Sequence, residues 1–157
     1  MKLKKIIDVA SVLLGVDCRD ILFRCANLCV SNVACNLKDC VTEQTFIVTD
    51  GKIYYNQFNY QFLKVRECNV RYEIYTDFIA VPNGKVVIEY AYIPCFTKQT
   101  EDISKIGGVM NGDVLLYGIL AEYASISGLW DEYKMYNEKF QILLFNQHRG
   151  KGVRVMI

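Results

Sequence analysis

The chain has one histidine, His148, and only two prolines in 157 residues. Two prolines are too few for a long disordered linker. A structural zinc site draws four ligands from cysteine and histidine, and the lone histidine argues against one. There are seven cysteines but no CxxC pair. An odd count does not suit the disulfide framework of a secreted chain, so the thiols read as structural groups in a reducing compartment. Net charge is +1, which gives no global field for nucleic acid or a membrane surface. No apolar run approaches the ~20 residues that cross a bilayer. No GxGxxG occurs, and the GVMNG stretch (residues 108–112) lacks the Lys-Ser/Thr that completes a phosphate loop. No internal repeat or low-complexity segment is visible.

What remains is a chain of 52% hydrophobic residues with 22% charge. That suits one globular domain, 1–157, with a sizeable core and some surface left for a partner. The N-terminus has basic residues followed by an apolar run, the outline of a signal peptide. Asp8 interrupts that run, and Ile6, Ile7, Ala10, Leu13 and Leu14 read instead as the apolar face of an amphipathic helix over 5–15. A second helix is expected over 19–37, with Asp17 able to cap it. Its face carries Ile21, Leu22, Cys25, Leu28, Cys29 and Val33, and Cys25 and Cys29 serve there as small buried hydrophobes.

From about residue 41 the apolar period switches to two, and a strand block extends to 95. Thr45–Val48 and Ile53–Tyr55 flank Asp50–Gly51, while Phe78–Val81 and Lys85–Ile93 flank Asn83–Gly84. Both dipeptides are hairpin signals, because both turn positions tolerate positive φ. With Phe62–Cys68 and Val70–Tyr75 this predicts a central antiparallel sheet of five or six strands. Helices segregated from strands give an α+β fold: helices over 1–40, the strand block, a helical hairpin over 112–147 and an extended tail over 148–157. In the hairpin, Leu116, Ile119, Leu120, Tyr123 and Ile126 form one stripe, and Leu129, Tyr133, Tyr136, Phe140 and Leu143 form another. Asn111 or Asp113 can cap its start, Gly128 fits a left-handed helix stop, and Gly118 inside the first helix suggests a close helix approach.

No catalytic set accompanies these elements. Asp131 and Glu132 adjoin but leave a helix on different sides. His148 paired with a cysteine such as Cys95 has no local support as a nucleophilic site. The expectation is therefore no enzyme, no cofactor and no metal site. Aromatic residues are numerous, and Tyr54, Tyr55, Phe58, Tyr60 and Phe62 crowd one turn beside Lys52, Lys64 and Arg66. Such rings mainly cover a thin sheet core. Beside cations they could also stack on single-stranded nucleic acid, which gives an alternative reading as a binding module. The tail combines Arg149, Lys151 and Arg154 with Val153, Val155, Met156 and Ile157. It reads as an arm that adds a strand to a neighbour or docks in its groove, against the simpler options of pairing within its own chain or fraying.

The segment YGILAEYASISGLWDEYKMYNEKF resembles the C-terminal part of small head–tail connector or adaptor proteins of tailed bacteriophages and prophages. Tyr117, Gly118, Ala121, Glu122, Tyr123, Gly128, Tyr136, Lys139 and Phe140 match that family's pattern. RCANLCVSNVA (Arg24 to Ala34), VTDGKI and VPNGKVVIEYAYIP are similar as well. The chain differs from the family in its sizeable strand block and in its ending, VRVMI. The resemblance implies a non-catalytic virion protein, present in the host cytoplasm during assembly. It would form a homo-oligomeric ring, often twelvefold, beneath the portal protein and offer a platform for the tail or a further adaptor. DNA would be only passing cargo, and no membrane would be involved. The helices would pack side by side, with Tyr117, Trp130, Tyr133 and Tyr136 as ring-interface candidates, and the arm from Arg149 to Ile157 would reach the portal.

Overall fold

The computed structural model describes residues 1–36, 40–106 and 110–149. Among them are α1 (Leu3–Leu14), α2 (Arg19–Asn36), six strands, α3 (Gly112–Ile126) and α4 (Trp130–Arg149), with 3-10 turns at Tyr55–Gln57 and Ile103–Ile106. The fold is α+β. It forms two compact units: a helical one from residues 1–38 and 94–157, and a strand unit from residues 39–93.

In the helical unit α3 is the central element. α1, α2 and α4 all pack on it. Its buried face is accordingly wider than one stripe: Val114, Leu115, Gly118, Ile119, Leu120, Ala121 and Ala124 are buried. Of the expected stripe, Ile119 and Leu120 are buried, while Ile126 at the helix end is exposed. α4 packs by a narrower seam. Phe140 and Leu144 are buried on it, and Leu129, expected on the stripe, is exposed.

Local chemistry sets the helix ends. Asn111 caps α3 through its side-chain oxygen, which accepts from the Val114 N–H at 3.0 Å. At the other end Gly128 takes φ 71. The Leu129 N–H then returns to the Ala124 carbonyl at 2.9 Å, the backbone closure that satisfies the last free carbonyls of a helix. The Leu129 carbonyl in turn accepts from Tyr133 N–H at 2.8 Å, opening α4. The chain thus reverses within a few residues, as a helical hairpin requires.

Hydrogen bonds tie residues 96–105 to α1 and α2. Leu3 and Lys4 N–H groups donate to the carbonyls of Glu101 and Gln99, and Ile103 N–H donates to the Met1 carbonyl. The Glu101 carboxylate accepts from the Thr97 hydroxyl and the Lys98 N–H, both at 2.7 Å, and pairs with Lys105. Lys105 and this set of donors hold its carboxyl at about 2, well below the usual range. Asn27 of α2 clamps the same segment. Its amide donates to the Phe96 carbonyl at 3.0 Å and accepts from the Phe96 N–H at 2.8 Å.

In the strand unit, β1 (Cys40–Val48), β6 (Gly84–Ile93) and β3 (Gln61–Cys68) form one three-stranded antiparallel sheet in the order β1-β6-β3. β2 (Lys52–Tyr54), β5 (Phe78–Ala80) and β4 (Glu73–Ile74) form a second, in the order β2-β5-β4. The expected single sheet of five or six strands is therefore replaced by two sheets of three. The two glycine dipeptides explain the difference. β1 pairs with β6 and β2 with β5, so neither dipeptide closes a hairpin between flanking strands. Val48 faces Gly84 on one side of the break, and Lys52 faces Ala80 on the other, the same distance along both strands. The dipeptides lie across from each other in one long ribbon and let it bend. Gly51 N–H donates to the Asn83 side chain at 2.7 Å, and Val81 N–H donates to the Gly51 carbonyl at 3.0 Å. Gly84, at φ 122, occupies backbone space that side chains rarely adopt.

The bent ribbon wraps a core of Phe46, Val48, Ile53, Phe58, Ile79, Val81, Val86, Ile88 and Tyr90. The crowded aromatic run supplies much of it. Phe58 meets Tyr90 edge-on at 4.6 Å, and Tyr55 stacks on Phe62 at 5.0 Å. The fully buried Tyr90 keeps its hydroxyl satisfied by donating to Gln44 Oε1 at 3.1 Å.

Candidate functional site

The outward face of the helical hairpin carries apolar residues that no core claims. Trp130, Met135 and Ile142 are 60%, 57% and 50% exposed. α4 rises about 1.5 Å per residue with 3.6 residues per turn, so Met135 and Ile142, seven apart, stack on one side of it. The buried seam through Phe140 and Leu144 lies on the opposite side. Met135, Tyr136, Glu138, Lys139 and Ile142 join Tyr117 of α3 around a groove of about 410 Å³. Lys139 Nζ stands 5.7 Å from the centre of the Tyr117 ring, an attraction between cation and π-face.

Two of the four ring-interface candidates, Tyr117 and Tyr136, thus line one groove. The other two, Trp130 and Tyr133, meet edge-on at 6.2 Å at the start of α4. Met135 and Ile142 are the groove residues the sequence reading missed. They form a second apolar repeat on α4, out of phase with the expected stripe, and that repeat is the signal that could have found them. Of the arm candidates, Arg149 is the last residue of α4. Lys151, Val153, Arg154, Val155, Met156 and Ile157 lie outside the described residues.

All seven thiols are free. Burial pushes the Cys25 thiol up to about 11, and burial also raises that of Cys29, with the nearby Glu122 charge adding to both. A raised pKa disfavours the thiolate that attacks electrophiles. Cys29 Sγ lies 3.7 Å from Met110 Sδ, inside the helical unit. Among the described residues no cluster of His, Cys, Asp and Glu could hold a metal ion. No helix among them is long and apolar enough to cross a membrane.

On the strand unit a second surface stands out. Tyr75 stacks on Phe78 at 4.9 Å, Tyr54 lies 6.0 Å from the same ring, and Lys52 Nζ sits 4.8 Å above it. Tyr54 and Tyr75 are exposed.

Compared with protein-family models and with curated proteins, the chain matches none.

Proposed function

We propose that this protein is a non-catalytic assembly component of a tailed-phage particle, a head–tail connector or adaptor that forms a ring with copies of itself. The ring docks on the portal protein and links it to the tail or to a further adaptor. It assembles in the host cytoplasm and resides at the head–tail junction of the virion. The observation that carries this reading is the exposed apolar face of the α3–α4 hairpin, with Tyr117, Met135, Tyr136 and Ile142 around one groove and Trp130 nearby on α4. Contiguous apolar surface with aromatic and methionine side chains is the composition that protein interfaces favour. The sequence resemblance falls on the same hairpin, and the basic, apolar arm that follows is the candidate tether to the portal.

Mass photometry over a range of concentrations, with and without portal, tests this reading. Rings or portal complexes are expected for the intact chain, and Met135→Glu with Ile142→Glu should abolish self-association while the helical signal is retained. Deleting residues 150–157 should leave the fold intact and remove portal docking. A chain that stays monomeric and ignores portal would refute the proposal.

The alternative is a single-stranded nucleic-acid binding module. It is favoured by the exposed Tyr54 and Tyr75 rings, packed on the half-buried Phe78 beside Lys52, since base stacking on such rings is worth about 1–3 kcal/mol per base. Much of the remaining aromatic run is spent on the core, which narrows that surface. Oligonucleotide anisotropy at low and high salt decides it, because phosphate contacts weaken steeply as salt rises.

A further inference from the structure

A closed ring of identical chains needs two different, mutually complementary faces on each copy, because a face that pairs only with itself closes as a dimer. The hairpin groove supplies one. The helical unit exposes a second apolar stripe on α1: Val9, Val12 and Leu13 are exposed, Val12 by 81%. Lys5 precedes them at helical spacing and is exposed, as is Lys2 in the extended backbone just before the helix. Asp8, the acid of α1, is engaged by Arg19 and so does not offset those lysines. The α4 stripe has the opposite character. Asp131, Met135, Glu138 and Ile142 follow at spacings of four, three and four, and all are exposed. Lys139 lies toward the Tyr117 ring. The α1 stripe, from Lys5 to Leu13, fits within the length of the α4 stripe, from Asp131 to Ile142.

We propose that the α1 face of one copy seats against the α4 face of the next, and that this heterologous contact propagates the ring. The inference rests on the ring-forming reading above and names its two surfaces. Laid antiparallel, the stripes place Lys5 opposite Glu138 and Val9 opposite Met135. The occupant of the hairpin groove is then a second copy of this chain, selected by charge as well as by apolar contact. Opposed charges fix register and exclude wrong pairings, whereas like charges brought together are costly.

Charge reversal in the full chain tests the assignment. Lys5→Glu and Glu138→Lys replace exposed side chains, and circular dichroism and melting confirm that each variant folds. By mass photometry, each variant alone should need a concentration roughly tenfold higher than the intact chain for half-assembly. An equimolar mixture of the two should assemble, because the acidic α1 face of one then meets the basic α4 face of the other. The double variant should assemble by itself for the same reason. If Lys5→Glu assembles like the intact chain while Met135→Glu with Ile142→Glu does not, α4 meets something other than α1. That result overturns this inference and leaves the ring reading standing. An intact chain that is monomeric at every concentration overturns the ring reading, and the pairing with it.

Discussion

Replacing Gly118 by alanine inserts one methyl group where three helices meet. A Cβ at this position of α3 would lie 2.2 Å from Cys29 Sγ of α2 and 3.1 Å from Phe140 Cε2 of α4. Both distances are shorter than comfortable contacts between non-bonded carbon and sulfur or carbon, so a neighbour must move. Turning the Cys29 thiol away sacrifices its 3.7 Å contact with Met110, and displacing Phe140 disturbs the buried seam of α4. Alanine in a helix interior is favoured over glycine by about 1 kcal/mol. Forcing a methyl group into a packed core costs about 1–3 kcal/mol. The first contact is far inside the allowed distance, so the upper part of that range applies and the net loss should be about 1–2 kcal/mol. Urea denaturation followed by the far-UV helical signal reads it, since the helices all belong to one unit. A second substitution makes the reasoning specific. Cys29→Ala removes the sulfur and leaves the new methyl group 3.4 Å from the Cys29 Cβ, an ordinary contact. With only the 3.1 Å approach to the Phe140 ring edge left, Gly118→Ala should cost clearly less in the Cys29→Ala background than alone, a coupling that a double-mutant cycle measures. If Gly118→Ala alone matches or exceeds the parent in stability, α2 and α3 do not approach as described.

Asn27→Ala should destabilise the helical unit by about 1–3 kcal/mol, because it leaves the Phe96 N–H and carbonyl without the clamp they share; hydrogen exchange at Phe96 should accelerate in parallel. Glu101 should contribute to acid sensitivity. Its folded pKa is depressed from 4.5 to about 2, so its stabilising share is complete above 4.5 and is lost as pH falls toward 2. Glu101→Gln should remove that share at neutral pH and flatten the acid limb of the stability curve, read by thermal melts between the two regimes. A thiol reagent at neutral pH should label the exposed Cys35 and Cys95 first and the buried Cys25 and Cys29 only as the chain opens. Peptide mapping of the labelled protein gives the order, and early labelling of Cys29 would contradict its burial.

Element types and most of their limits were legible in the residues, because those depend on local spacing and capping. The apolar repeat of three and four placed α1, α2 and the hairpin. Asn111 and Gly128 marked ends that the backbone of α3 then uses, and burial of Cys25 and Cys29 followed from their place on a helix face. Gly118 announced a close approach without saying to what. Partners across long separations were not legible. Asp50–Gly51 and Asn83–Gly84 each carry the local chemistry of a hairpin turn, but whether a strand pairs with its neighbour or with one far along the chain depends on contacts that no short window contains. Tertiary structure set these glycines opposite each other as one bend and divided the strands into two sheets. It also decided which apolar repeat on α4 is core. Phe140 and Leu144 won that face by meeting α3, and Met135 and Ile142 were left outside to form the surface on which the proposed assembly depends.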